Sequence, residues 1–558
     1  MPGCKRTTIR LQSEAHLFLV PCQIILFGFV VCLDSFLYTF TILPLRFLVA
    51  LTLWLRNTLW NAFYRPGGAA RRYLHSSYKC DILKTALFIS SCYILSRLTD
   101  ASKMYHSVRG QDVVKLYVIF NVMEIADRLC CSLGQDLLDA LFSRMTLARR
   151  KDGSQPIGRL LGFFVMALFY IQAHTMVLFY QLVTLNVAIN SYDNALLTLL
   201  LSNQFVEIKG SVFKKFEKEN LFQLTCADIV ERFQLTLILT AIGVRNLIEV
   251  SGGYGSGPTG GEVPLPRSFT VLPSISLLET SFAPVAIVLL SECLVDWLKH
   301  AFITKFNHIR PAVYGRFMDV LCRDLVVAGP AVPQEEGGRS KRRHTFVDQS
   351  PVVSRRLGFA ALPLACLLVR ISAQIWGMLA DDSHFDECAV PTSSTRSGNS
   401  SGLLSTFMGL ARLLVGSVLG VRDAQSWVEN VVDSTFQILA WGLTAFVVWA
   451  FLVAVKLLLG ASLVSFASLR YRTMAAREAE EDLNARDRHA IGVDRHEREY
   501  EAKAKQFLSQ DEQTKTGDGV ASGAGSLAAP TSGSSSKKST GSSLMDVSRY
   551  TMVKSRLW

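Results

Sequence analysis

Several stretches of this sequence are continuously apolar over the length that a helix needs to cross a bilayer. Crossing the hydrocarbon core takes about 20 apolar residues. The clearest candidate spans are Ile157–Ile189, Phe233–Val250, Phe282–Leu298, Leu357–Leu379 and Phe436–Leu469. Only 19% of the residues are charged, against about 25% in soluble chains. The sequence therefore predicts an all-α, polytopic helical membrane protein, with about six to eight membrane helices and amphipathic interfacial helices.

Three further segments leave the number of membrane helices open. Leu17–Leu55 is too long for one crossing. Asp34 and Pro44 divide it, so a hairpin or a re-entrant pair is expected. Ile82–Leu98 is a candidate short crossing. Val113–Met123 is too short to span and is expected to be buried or interfacial.

The charges between the apolar runs predict which loops face the cytosol. Residues 56–84 carry six basic residues and one acidic residue, and residues 299–356 carry eleven and five. The positive-inside rule makes both segments, and residues 144–159, cytosolic. Ala380–Ser434 carries three basic and seven acidic residues, and Ser251–Pro273 has a single basic residue. These two loops are therefore expected to be luminal, and each forms the tip of a helical hairpin.

These patterns divide the chain into regions. Residues 1–16 are predicted to be a cytosolic N-terminus, and residues 17–470 a polytopic membrane domain with a luminal insertion at 380–434. Residues 471–515 alternate acidic and basic side chains, which predicts a charged cytosolic helix. Residues 516–558 are Gly/Ser-rich and are expected to be disordered, with a terminal motif suited to docking.

Asn399 begins an Asn-Ser-Ser sequon inside the predicted luminal insertion. A sequon on the luminal side is an acceptor for N-glycosylation. Asn399 is therefore the glycosylation candidate of this chain.

A stripe of ionisable residues follows one predicted membrane helix. Glu292, Asp296 and His300 lie at i, i+4 and i+8, so helical spacing places them on one face. Such a stripe can contribute to a metal site or relay protons within a membrane. The simpler interpretation, and the preferred one, is pairing with basic residues of a neighbouring helix. One helix supplies at most part of a metal site, so no metal is assigned.

The segment Met123–Phe142 has acids at about helical spacing and an apolar stripe of leucine and isoleucine residues on the opposite side. The stripe could face lipid or a partner. Packing of the apolar stripe against the bundle is the preferred interpretation, because such stripes are usually core.

Basic residues interleave with aromatic residues in Phe205–Phe222, which is expected to contact anionic lipid headgroups. The lysines of this segment are Lys209, Lys214, Lys215 and Lys218. Neighbouring acids cancel much of the charge, and no nucleic-acid-binding motif is present, so nucleic acid is not expected as a partner.

Catalytic signatures are missing from the sequence. It contains no HExxH, Walker or kinase motif, and no recognisable pair of nucleophile and base. The glycine-rich stretch at Ser251–Gly261 lacks the Lys-Ser/Thr of a phosphate loop. We expect neither enzymatic activity nor a cofactor.

Several segments resemble one family of membrane proteins, the transmembrane anterior posterior transformation (Tapt) family. The similarity extends over roughly residues 28–378 and the last apolar run. It is most specific in VEIKGSVFKKFEK. The other segments that carry it include SYKCDILK (Ser77–Lys84), MYHSVRGQDVVKLYVIFNVMEIADRL (Met104–Leu129), GQDLLDAL (Gly134–Leu141), TLNVAIN (Thr184–Asn190) and VDWLKHAFITKFN (Val295–Asn307).

The resemblance implies a multi-pass protein of the endoplasmic reticulum membrane, with the ciliary basal body as the alternative location. Fungal and plant relatives are tied to protein folding and quality control, and vertebrate relatives to cilium formation and skeletal patterning. No catalytic residues carry over. The 380–434 insertion is longer than the corresponding link of the family, which is compatible with a lineage-specific luminal interaction.

Two functions follow from these expectations. The first is a membrane scaffold or adaptor that recruits protein partners through its cytosolic helices and C-terminal tail, for protein folding, quality control or trafficking toward the cilium. The second is a transporter or channel that uses the intramembrane acidic and histidine stripe. Neither the direct partner nor the oligomeric state follows from the sequence.

Overall fold

The structure is a computed structural model that describes most of the helical part of the chain. The described residues are 2–64, 74–147, 157–190, 198, 205–206, 208–210, 216, 218–253, 275–307, 309–328, 352–385 and 422–479. The sequon at Asn399, the lysines Lys214 and Lys215, most of the 380–434 insertion and residues 480–558 lie outside them.

The described residues up to 190 form seven helices. Their bounds are α1 Pro2–Phe40, α2 Ile42–Leu59, α3 Ser76–Leu98, α4 Ala101–Arg109, α5 Val113–Leu141, α6 Arg144–Leu147 and α7 Ile157–Asn190. A π-helical turn at Trp60–Tyr64 follows α2.

The described residues from 218 onward add six helices. Their bounds are α8 Lys218–Gly253, α9 Ile275–Phe306, α10 Ala312–Ala328, α11 Val352–Leu357, α12 Ala361–Phe385 and α13 Arg422–Arg472. The prediction of an all-α membrane protein is confirmed.

Three helical stretches among the described residues are long and apolar enough to cross a membrane: Pro21–Phe63, Ile157–Asn190 and Gly442–Arg472. Helix α3 with the end of α4 would add a fourth, bent by 62°. The structure does not confirm the predicted six to eight spans. Helices α8 and α9 are also longer than 30 residues, but ionisable side chains lie along their facing sides.

The first apolar run is divided close to Pro44, as expected, but not at Asp34. Helix α1 continues through Asp34, and the break falls at Thr41, whose hydroxyl donates to the Leu37 carbonyl over 2.6 Å. Pro44 lies in the first turn of α2, where proline is tolerated. Asp34 does not interrupt the helix because Lys456 of α13 neutralises it inside the bundle.

Aromatic packing around Phe233 joins several helices. Phe233 is fully buried. Its ring centroid lies 5.2 Å from that of Phe29, 5.9 Å from that of Phe36 and 5.2 Å from that of Phe359, in edge-to-face arrangements that aromatic rings favour. These contacts hold α8 against α1 and against the chain that enters α12, and so fix the height at which the charged residues of α8 meet α9.

Helix α5 turns the first part of its apolar stripe outward, against the preferred expectation. Ile125, Leu129 and Leu133 are 61–67% exposed, whereas Asp127 is buried against α7. The end of the stripe packs against the bundle as expected, because Leu141 is fully buried there. Val113–Met123, expected to be a separate short element, is the first part of this 29-residue helix.

Candidate functional site in the charged core

The predicted stripe on α9 meets a complementary stripe on α8. Arg232 of α8 forms ion pairs with Glu292 and, over 2.7 Å, with Asp296. The two acids lie one turn apart on α9, so one guanidinium group, with its fork of donors, reaches both. The structure therefore pairs two of the three predicted stripe residues with a basic residue of a neighbouring helix.

His300, the third residue of the stripe, lies in a second set of contacts one turn further along α9. Its Nε2 is 2.9 Å from Asp228 Oδ2, and its Nδ1 is 3.0 Å from the hydroxyl of Tyr314 on α10. Lys299 Nζ bridges Asp228 Oδ1 at 2.8 Å and Asp296 Oδ1 at 3.3 Å. The two sets of contacts thus form one continuous network.

We call this network the charged core. Its members are Asp228, Arg232, Glu292, Asp296, Lys299, His300 and Tyr314. Lys299 and His300 are 1% and 0% exposed. At this depth a charge is tolerated only with a close opposite charge and further hydrogen bonds.

Tyr314 closes the network at its α10 end. Burial, and then the nearby Asp228 carboxylate, raise the pKa of its hydroxyl, so the hydroxyl stays protonated at neutral pH. It can therefore donate a hydrogen bond to His300 Nδ1, which leaves the Nε2–H to face Asp228. His300 thereby links Asp228 of α8 to Tyr314 of α10.

A second polar cluster lies between α5 and α7. His174 Nε2 is 2.7 Å from Asp127 Oδ1, and the Tyr170 hydroxyl is 3.0 Å from His174 Nδ1. Cys131 Sγ is 3.8 Å from His174 Nε2. Gln234 of α8 donates to the second oxygen of Asp127 over 3.3 Å. We call these five residues the α5–α7 cluster.

Ion pairs also attach the last span, α13, to the bundle. The most apolar window of this helix is only 6% buried. Its basic residues provide specific attachment: Lys456 pairs with Asp34 of α1, and Arg470 pairs with Asp319 of α10 over 2.6 Å. Lipid-facing helices gain little from apolar contact, so such pairs fix the position of the span.

The basic segment predicted to contact lipid headgroups is described only in part. Lys209 and Lys218 are exposed, as are Phe205 at 60% and Val206 at 64%. The accessible surface of this segment therefore combines cationic and large apolar side chains.

Sequence analysis identified the stripe of α9 in the charged core and missed its partners on α8. Asp228 and Arg232 lie four residues apart on α8, the same spacing as Glu292 and Asp296 on α9. This spacing places Asp228 and Arg232 on one face of α8, and a second ionisable face on a neighbouring helix would have indicated the pairing. The α5–α7 cluster had a signal in the sequence: Asp127 and Cys131 lie four residues apart on α5, and Tyr170 and His174 lie four residues apart on α7.

These features define a class: an all-α, multi-pass membrane protein whose bundle encloses ion-paired polar layers. The sequence matches the profile described as a eukaryotic membrane protein family over residues 74–472. It is 40% identical over 493 residues to endoplasmic reticulum membrane protein 65 of Schizosaccharomyces pombe. The aligned region covers 87% of this chain and 70% of that protein.

Vertebrate relatives agree with that match. The chain is 41% identical over 377 residues to the transmembrane anterior posterior transformation protein 1 homologs of Xenopus laevis and Homo sapiens, covering 67% of this chain. It spans 60% and 58% of the length of those two proteins. No solved structure matches. The chain belongs to the Tapt family, and it is a membrane protein of the endoplasmic reticulum.

Proposed function

We propose that this chain is a non-enzymatic, multi-pass scaffold of the endoplasmic reticulum membrane. It recruits protein partners for protein folding and quality control or for trafficking. In ciliated hosts the same activity serves formation of the cilium and its basal body. The membrane domain anchors the protein, and the cytosolic helices and the C-terminal tail bind the partners.

The observation that carries this proposal is the pairing within the charged core. Arg232 and Lys299 neutralise acids of α8 and α9 at short range, with His300 and Tyr314 completing the hydrogen bonds. Charges held in this way specify which helices pack together and at what register. The core of the bundle thus has the chemistry of a rigid support, and the surfaces remain for recognition.

The exposed segment with Lys209 and Lys218 supports a second contact, with anionic lipid headgroups. Each lysine near an anionic surface contributes about 1 kcal/mol of attraction, and Phe205 and Val206 supply apolar area that can enter the interface. Changing the four lysines of this segment to serine is expected to weaken co-flotation of the detergent-solubilised chain with phosphatidylserine vesicles. Phosphatidylcholine vesicles are the control.

Partner capture tests the scaffold function. Cells expressing the full chain, or a chain ending after residue 479, are cross-linked, and both proteins are purified under stringent detergent washing. We expect specific partners with the full chain and loss of a subset with the truncated chain. A chain whose residues 516–543 are shuffled is the matched control, because it keeps tail length and composition. Recovery of general chaperones alone, unchanged by truncation, would contradict the scaffold function.

The predicted luminal insertion is tested by glycosylation. If residues 380–434 face the lumen, glycosidase treatment shifts the wild-type chain on a gel, and Asn399→Gln removes the shift. Protease access to this loop from the cytosolic side of sealed microsomes would refute the proposed sidedness.

Transport is the second candidate, because ionisable side chains buried among membrane helices often line ion or proton pathways. In that case the reconstituted protein moves an ion or a lipid, and Glu292→Gln abolishes the flux. Without flux in the wild-type protein this function is rejected, whereas partner capture is unaffected.

A further inference from the structure

Three potential metal ligands converge in the α5–α7 cluster. The nearest ligand atoms of Asp127, Cys131 and His174 all lie within 4.8 Å of one another, and all three residues are buried. Asp127 and Cys131 lie four residues apart on α5, so their side chains leave the same face of the helix. We propose that these three residues bind a zinc ion between α5 and α7, a site independent of the scaffold function.

The distances suit a small tetrahedral ion. Zinc bonds of about 2.0–2.3 Å at tetrahedral angles place ligand atoms roughly 3.3–3.7 Å apart. Cys131 Sγ lies 3.8 Å from His174 Nε2 and 4.0 Å from Asp127 Oδ1. The 2.7 Å between His174 Nε2 and Asp127 Oδ1 has to widen by about half an ångström to one ångström, which a side-chain rotation provides.

Charge balance favours a divalent ion at this depth. A carboxylate on Asp127 and a thiolate on Cys131 together carry two negative charges, and His174 binds as a neutral ligand. A zinc ion makes the buried group neutral overall, which reduces the cost of holding charges away from water. Binding releases the thiol proton of Cys131 to solvent. A thiolate, an imidazole and a carboxylate together favour zinc over magnesium or calcium, which prefer oxygen ligands.

The surroundings of His174 match those of a metal-binding histidine. The Tyr170 hydroxyl, 3.0 Å away, can accept a hydrogen bond from Nδ1, which leaves the Nε2 lone pair directed at Asp127 and Cys131. Gln234 holds the other oxygen of Asp127.

A cavity lies beside the cluster. Cys131, Gly134 and Tyr170 line this partly open cavity of about 100 Å³. Asp139 and Ser354 line the same cavity. Cys131 therefore borders a space large enough for a metal ion.

The experiment measures zinc on the purified full-length chain in detergent. The protein is stripped with a chelator, reloaded with zinc chloride, desalted and analysed by mass spectrometry for metal. We expect the wild-type chain to retain one zinc ion and Cys131→Ser to lose it. Cys130→Ser is the matched control: the neighbouring thiol lies outside the cluster, so this variant keeps the ion. Tyr170→Phe is expected to weaken binding by roughly 10- to 100-fold.

Cobalt provides a second, spectroscopic readout. Loading cobalt into the wild-type chain is expected to produce a thiolate-to-cobalt charge-transfer band, which persists in Cys130→Ser and disappears in Cys131→Ser. Either absence of the band in the wild type, or equal zinc retention by Cys131→Ser and Cys130→Ser, overturns the proposal. In those cases Asp127 and His174 form only a hydrogen-bonded pair.

Discussion

Removing the guanidinium group of Arg232 is the most direct test of the charged core. Arg232→Met keeps most of the side-chain volume but leaves Glu292 and Asp296 without their shared cation. The formal charge of the charged core then becomes more negative by one unit. Glu292 and Asp296 keep side-chain exposures of only 16% and 3%, so water cannot replace the lost partner.

The expected loss of stability follows from that burial. Breaking a buried pair by removing one partner typically costs about 3–5 kcal/mol. Because Arg232 contacts two acids, we expect Arg232→Met to reach the upper part of that range. Arg232→Lys keeps the charge but cannot reach both acids with a planar fork, and an intermediate loss is expected.

The assay is thermal unfolding of the detergent-solubilised chain, followed by fluorescence-detected size exclusion. Arg245→Gln is the control on the same helix: Arg245 lies over the ring of Tyr105 at 5.5 Å, a contact of about 1 kcal/mol. Combining Arg232→Met with Glu292→Gln and Asp296→Asn removes the unpaired charges and should recover most of the stability.

Two results would refute this reasoning. One is a loss of thermal stability in Arg232→Met that is no larger than the loss in Arg245→Gln. The other is a triple variant no more stable than the single variant, which would mean that packing of the arginine stem matters more than its charge.

Two further perturbations test the packing of other helices. A Cβ at Gly134 would lie 1.9 Å from the ring of Tyr170. Gly134→Ala should therefore lower the stability of the fold by about 1–3 kcal/mol through overpacking. Gly162→Ala, with open space around the glycine, should leave stability unchanged in the same thermal assay. Equal effects of the two variants would contradict the close approach of Tyr170 to Gly134. Lys456→Met leaves Asp34 without the cation that pairs with it, so we expect weaker attachment of α13 and faster proteolysis of the last span. The exchanged pair, Asp34→Lys with Lys456→Asp, should restore protection from the protease. If the exchange fails, geometry rather than charge decides this contact.

The local sequence was sufficient for the elements whose formation depends on contiguous residues. The apolar run at Ile157–Ile189 predicted α7 almost residue for residue, because membrane insertion depends on hydropathy summed along one helix. The same is true of the last span, and of the Glu292–Asp296–His300 stripe, because helical periodicity alone places those side chains on one face. Family membership was also evident from local motifs.

Only the tertiary structure decided which groups meet. Asp34 pairs with Lys456, a residue 422 positions away, and no local pattern identifies that partner. The orientation of the first part of α5 was predicted wrongly for a related reason: the buried face is the one that carries Asp127, whose partners His174 and Gln234 come from other helices. The arrangement of Asp127, Cys131 and His174 depends on the register of α5 against α7. That register is set by packing between helices, including the fit of Tyr170 over Gly134.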